Sequence, residues 1–174
     1  MREQSTLSRA RDYWWPSTRP SKLTQRHGPS NREGPWHTTD TSSPYTFNWN
    51  STTVIQGAHT LYAITQDTAG LRTTSAPVAI TVDNTAPTVA ITSPANGAAI
   101  LPNAIVNINA NAADNFGVVK VDFYVNTTLI CTVTSAPFTC VWQVANQRAN
   151  FNLKATAYDV AGKTATHTIS VSSR

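Results

Sequence analysis

From residue 85 to the C-terminus the chain alternates apolar and polar residues in short runs with a period of two. In PTVAITSP (87–94), Val89 and Ile91 share one face. AIVNINANA (104–112) turns Ala104, Val106, Ile108 and Ala110 one way and Asn107, Asn109 and Asn111 the other. VVKVDFYV (118–125) points Val119, Val121, Phe123 and Val125 inward, leaving Lys120, Asp122 and Tyr124 outside. TLICTV (128–133), FTCVWQV (138–144), FNLKATAY (151–158) and THTISV (166–171) continue the pattern. A period of two is the signature of a half-buried strand. The runs are separated by SPANG, ADNFG, NT, SAP and DVAG, which are rich in turn formers. Seven short strands with no helical stretch predict an all-β domain of two packed sheets.

The chain also repeats itself. TSSPYTFNWN (41–50) matches TSAPFTCVWQ (134–143) at an offset of 93, and LYAITQDTAG (61–70) matches LKATAYDVAG (153–162) at an offset of 92. APVAITV (76–82) then answers THTISV (166–171) as a final strand. A repeat of this length exceeds a solenoid unit and suits a small β-sandwich of the immunoglobulin-like kind. Residues 85–174 are read as one complete sandwich, and 41–84 as the C-terminal strands of a truncated one.

Four stretches in order, DNTAPTVAITSPANGAAI, ADNFGVVKVDFYVNTTLI, TSAPFTCVW and ATAYDVAGKTAT, resemble the bacterial Ig-like domain family found in tandem in large extracellular and cell-surface proteins. The resemblance covers 85–174, and 41–84 as half of a preceding copy. It implies a structural or adhesion module whose partners are neighbouring Ig-like repeats and protein or glycan ligands at a surface. It also admits an accessory carbohydrate-binding module of a secreted polysaccharide hydrolase. At Asn126-Thr127 the family usually has a glycine-containing turn. Threonine resists positive φ, so a longer or strained turn is expected here.

Residues 1–40 break the pattern. They contain no Val or Ile, show no alternation, and are rich in Arg, Ser and Pro. They read either as a disordered leader or as an out-of-frame start that rejoins the repeat near HTTDTSSPY. In the second case the chain is a truncated reading frame without independent function. The net charge of +4 divides unevenly. Residues 1–40 carry seven basic and four acidic groups, and the other 134 carry six and five. The folded part is therefore nearly neutral and offers no basic track for nucleic acid. No run of about 18 apolar residues predicts membrane insertion. The N-terminus lacks the 7–15-residue apolar segment of a signal peptide, although the resemblance implies an extracellular or cell-surface setting, as for a fragment of a longer exported protein.

The chemistry on offer is sparse. Alternation places Cys131 and Cys140 on the inner faces of consecutive strands joined through TVTSAPFT. With a turn at Ser135-Ala136 they would stand opposite one another in a hairpin. That favours a disulfide over two buried thiols and points to an oxidising compartment. In an immunoglobulin-like sandwich the N-terminal entry and two of the loops share a pole. Here they hold Asp83 and Asn84, Asp114 and Asn115, and Asp159. Such oxygens could gather Ca²⁺, but Asp and Asn are also ordinary turn residues, the simpler reading. Trp49, Trp142 and His167 are expected in the core. Tyr124 and Tyr158, with Lys120, Asp122 and Lys154, form an outward patch in which an Asp122–Lys154 pair is expected across strands. None of GxSxG, HExxH, a P-loop or GxGxxG occurs. The expectation is a non-enzymatic chain with no cofactor other than this candidate Ca²⁺.

Overall fold

A computed structural model describes residues 22–28 and 37–174. The chain divides into two compact units at Asn84/Thr85. The second contains a five-stranded and a three-stranded sheet. Its strands are β6 (Thr88–Ser93), β7 (Ala99–Ile100), β8 (Ile105–Ala113), β9 (Val118–Val125), β10 (Thr128–Val133), β11 (Phe138–Gln143), β12 (Asn150–Asp159) and β13 (Thr164–Ser173). The larger sheet runs β10-β9-β12-β13-β7 and the smaller β11-β8-β6. All seven expected strands form. The addition is β7, two residues long and paired parallel to β13, too short to show a period.

Alternation becomes burial. Phe123, Val121 and Leu153 from the larger sheet and Ile108 and Cys140 from the smaller are almost wholly buried. They belong to one core cluster with Trp142 and Phe151, whose rings meet edge-on with centroids 5.1 Å apart. Two expected inward residues miss it. A register shift between Leu129 and Cys131 changes the phase of β10, leaving Leu129 half exposed. On β9 it is Val118 that packs against the core, and Val119 stays outside. The β9–β10 connection is no longer than two residues, since Val125 pairs with Thr128. Asn126 takes the positive φ of 55°, a conformation asparagine tolerates, so Thr127 need not.

The registers also orient the sandwich. Thr88 pairs with Ala113, so β6 begins beside Asp114. Tyr158 pairs with Thr164 at this same pole, and Asn150 pairs with Ser172 at the other end of the sheet. The chain therefore enters the sandwich at one pole and leaves it at the opposite one.

Among the described residues the first unit has one sheet, formed by β1 (Lys22–Gly28), β2 (His37–Asp40), β3 (Gly57–Gln66), β4 (Arg72–Thr74) and β5 (Val78–Val82). Two stretches of the segment read from sequence as a leader are thus strands, with β1 pairing along β3 from Lys22↔Gln66 to Gly28↔Thr60. Pairing is a main-chain affair and needs no apolar alternation, which is why the pattern did not announce them. The remainder of 1–36 lies outside the described residues. By the repeat, β3 corresponds to β12 and β5 to β13. In that frame β1 and β2 take the places of β9 and β10.

The repeated decapeptide behaves differently in its two settings. Residues 138–143 form β11 because β8 stands beside them and pairs along their whole length. At 44–49 the same alternation survives, with Tyr45, Phe47 and Trp49 half buried between exposed neighbours, but no strand forms. Among the described residues no counterpart of β6 or β8 pairs with this stretch. Asp40 fixes its entry instead: one carboxylate oxygen accepts from the Ser42 N–H and hydroxyl, the other from the Thr46 N–H at 2.9 Å.

Candidate functional site

Cys131 and Cys140 are joined by a disulfide, with Cα atoms 6.2 Å apart. The bond is as expected, but the geometry is not that of a hairpin. β10 is an edge of the five-stranded sheet, bonded to β9, and β11 is an edge of the three-stranded sheet, bonded to β8. The two strands do not pair with each other. The disulfide is therefore a staple between the two sheets along one open side. Sequence periodicity shows which residues face inward, but both sheets face the same interior, so it cannot show which sheet a strand joins.

The acidic residues expected at the pole divide between the two units. Asp83 and Asn84 end the first. Asp83 is buried, and the Asn84 side-chain amide donates to the carbonyls of Ser51 (2.9 Å) and Val54 (3.5 Å). In the second unit Asn115 is exposed. Asp114 and Asp159 come together, each offering a carboxylate oxygen within 4.8 Å of the other. Asp114 lies in the β8–β9 loop, where Oδ1 accepts from the N–H groups of Phe116 (2.8 Å) and Gly117 (3.0 Å). Asp159 closes β12, and its Oδ1 accepts from Ala161 (2.9 Å) and Lys163 (2.8 Å). The turn role expected of these residues is thus present, carried by one oxygen of each. The Oδ2 atoms of both are buried without a hydrogen-bond donor.

The outer face of the five-stranded sheet holds a second cluster. Register places Tyr124 opposite Lys154, Asp122 opposite Thr156 and Lys120 opposite Tyr158. The expected Asp122–Lys154 pair is therefore not made. Asp122 instead receives Lys120, two residues back on its own strand, at 2.7 Å and the Thr132 hydroxyl at 2.6 Å. It is only 3% exposed. Burial pushes its pKa up, but the bonds from Lys120 and Thr132 prevail and hold it below the ordinary carboxylate value. The bond to Asp122 in turn raises Lys120. Burial chiefly, with Tyr124 and Asp122 beside it, raises the Tyr158 phenol. Both rings are capped by cations: Lys120 lies 4.2 Å from the Tyr158 centroid and Lys154 4.1 Å from that of Tyr124. Thr132 was missed, and only its register opposite Asp122 would have revealed it.

Trp142 is in the core as expected. His167 is half buried, and its Nδ1 accepts the Ile91 N–H at 3.1 Å, tying the two sheets together at β13 and β6.

Two sheets packed face to face, stapled by a disulfide between Ig-type edge strands, make the second unit an immunoglobulin-like β-sandwich. A sequence model of the bacterial Ig domain family matches residues 87–171, within the stretch whose motifs resemble that family. Among solved structures, the chain is similar to one described as fibronectin(III)-like modules of Clostridium thermocellum CbhA. The TM-score is 0.64 at 24% identity, over 93% of this chain and 82% of that one. That likeness is one of fold. No curated protein matches the chain in sequence. Among the described residues, no helix is long and apolar enough to cross a membrane.

Proposed function

We propose that the chain is a non-enzymatic structural or adhesive module, a piece of a tandem Ig-like array in a bacterial extracellular or cell-surface protein. The observation that supports this best is the placement of the ends of the second sandwich. Thr88 starts at the pole of Asp114 and Asp159, and Ser173 ends at the opposite pole. A domain entered and left at opposite ends adds length to an array with every copy. The disulfide fits a protein exported to an oxidising compartment. The short DNTAP stretch before the sandwich, with its φ-restricted Pro87, suits a stiff connection between copies.

The alternative of a carbohydrate-binding accessory module needs aromatic faces open to a sugar ring. Tyr124 and Tyr158 are the aromatics on the outer face of the five-stranded sheet, and each has a lysine ammonium over its face. Affinity electrophoresis of the full chain through gels of soluble cellulose, xylan and mannan derivatives tests the choice. A structural module migrates unretarded. Retardation that disappears in Tyr124→Ala or Tyr158→Ala would overturn the proposal in favour of glycan binding.

A further inference from the structure

We propose that two copies of the chain associate through the open edge of β11, so that the three-stranded sheet of one continues into that of the other across a two-fold axis. The ladder orders of the second sandwich end in four edge strands, β10 and β7 in the larger sheet and β11 and β6 in the smaller. An open strand edge is a template for another strand, and folded proteins blunt it with charges, bulges, prolines or shortness. β10 carries a bulge between Leu129 and Cys131, and β7 is two residues long. β6 shifts register between Ile91 and Ser93, and its Ile91 N–H is spent on His167. β11 has none of these devices. Its six residues, FTCVWQ, include neither a charge nor a proline and pair with β8 without interruption from Phe138↔Ala110 to Gln143↔Ile105.

The register shows which main-chain groups are unspent. The Val144 N–H donates to the Ala104 carbonyl at 2.9 Å, which continues the β11–β8 pairing by one step. Main-chain groups of successive strand residues point to opposite sides, so Phe138, Cys140 and Trp142 bond β8 as Val144 does. Thr139, Val141 and Gln143 turn theirs to the open side. The same alternation carried across β8 to β6 points the Ile91 N–H away from β8, as its bond to His167 requires. The disulfide takes only the side chain of Cys140 and uses none of these groups.

The open positions fit a second copy of themselves. In an antiparallel pair centred on the axis, Val141 stands opposite the partner's Val141, and Thr139 opposite the partner's Gln143. Each of these pairs exchanges both of its main-chain bonds. Pro137, which has no N–H, ends the ladder. Val141, 66% exposed in the single chain, gains an apolar neighbour, while the Thr139 hydroxyl meets an amide. The outward residues of β8 and β6 behind this edge are uncharged as well, so the joined faces set no like charges together. A two-fold contact of this kind consumes the β11 edge of each copy and closes at the dimer. It rests on the second sandwich alone and not on membership of an array.

Sedimentation velocity of the full chain from micromolar to millimolar concentration tests the contact, together with NMR amide exchange over the same range. A concentration-dependent passage from monomer to dimer is expected, with exchange at Thr139, Val141 and Gln143 slowing as the dimer forms. Val141→Lys sets two ammonium groups against each other on the axis and should weaken association by at least about tenfold. Leu129→Lys changes an exposed apolar residue at the β10 edge and should leave association intact. The proposal is overturned if the chain stays monomeric at millimolar concentration, or if Val141→Lys dimerises like the unaltered chain. It is equally overturned if Leu129→Lys abolishes the dimer, or if a dimer forms without slower exchange at those three amides. Should Val141→Lys fail to fold, the exchange rates of the unaltered chain decide the matter.

Discussion

The disulfide between the sheets sets a measurable quantity. Breaking it by reduction changes no side chain other than the two sulfurs, and the chain has only two cysteines. Any thermal shift caused by reductant therefore belongs to the second sandwich. The bond joins residues nine apart, closing a loop of about ten residues. In the chain-entropy description this contributes about 2.7 kcal/mol by restricting the unfolded chain. For a domain of about 90 residues, each kcal/mol moves Tm by about 4–8 °C, so reduction should lower it by about 10–20 °C. The native state should add to this, because β10 and β11 share no ladder bonds and the bond ties their edges. Differential scanning calorimetry of the full chain with and without a phosphine reductant gives the number. Cys131→Ser/Cys140→Ser should fall at least as far, since Cys140 is 1% exposed and a serine hydroxyl there would be buried. A fall of less than about 3 °C on complete reduction would refute the assignment of the bond as a main stabiliser of this sandwich.

Phe123→Ala removes a wholly buried ring from the centre of the core and should cost about 3–5 kcal/mol, read from urea denaturation. Asp122 is held below its ordinary value, so its stabilisation is present above the unfolded pKa and lost as pH falls through the depressed one. The melting temperature should therefore drop as pH is lowered below about 4, and Asp122→Asn should flatten that drop. His167→Ala deprives the buried Ile91 N–H of its acceptor and should cost about 1–3 kcal/mol, with faster amide exchange at Ile91. Lys154→Ala uncovers the Tyr124 ring and should change stability by no more than about 1 kcal/mol by chemical denaturation.

Strand identity in the second sandwich could be read from alternation alone, because half-burial imposes it residue by residue. What alternation could not supply was the register. Asp122 and Lys154 both point outward as expected, yet Thr156 stands opposite Asp122, so the cation that answers it is Lys120. The bulge after Leu129 is a backbone event with no sequence period. The acidic loops were legible as turn formers, since DVAG and ADNFG carry the residues such turns need. The division of labour between Oδ1 and Oδ2 was not, because it depends on which loops share a pole at ångström scale. In the first unit the decapeptide at 41–50 resembled a strand and is none, and among the described residues no strand pairs with it.

The parallel pairing of β7 with β13 has a mechanical meaning. β7 joins Ser172 and Ser173 through Ala99 and Ile100, and flanking main-chain bonds link Gly97 to Ser170 and Arg174 to Ile100. β13 runs toward the exit pole and β7 lies parallel to it on the incoming side. A pull on the two ends of the sandwich therefore drags these strands past each other along their length. Parallel ladder bonds are evenly spaced along the strands, so under such a pull they share the load and do not open one after another like the teeth of a zip. Tension along the chain thus meets its resistance where β7 and β13 join. Once that join fails, the loop closed by Cys131 and Cys140 still refuses to lengthen.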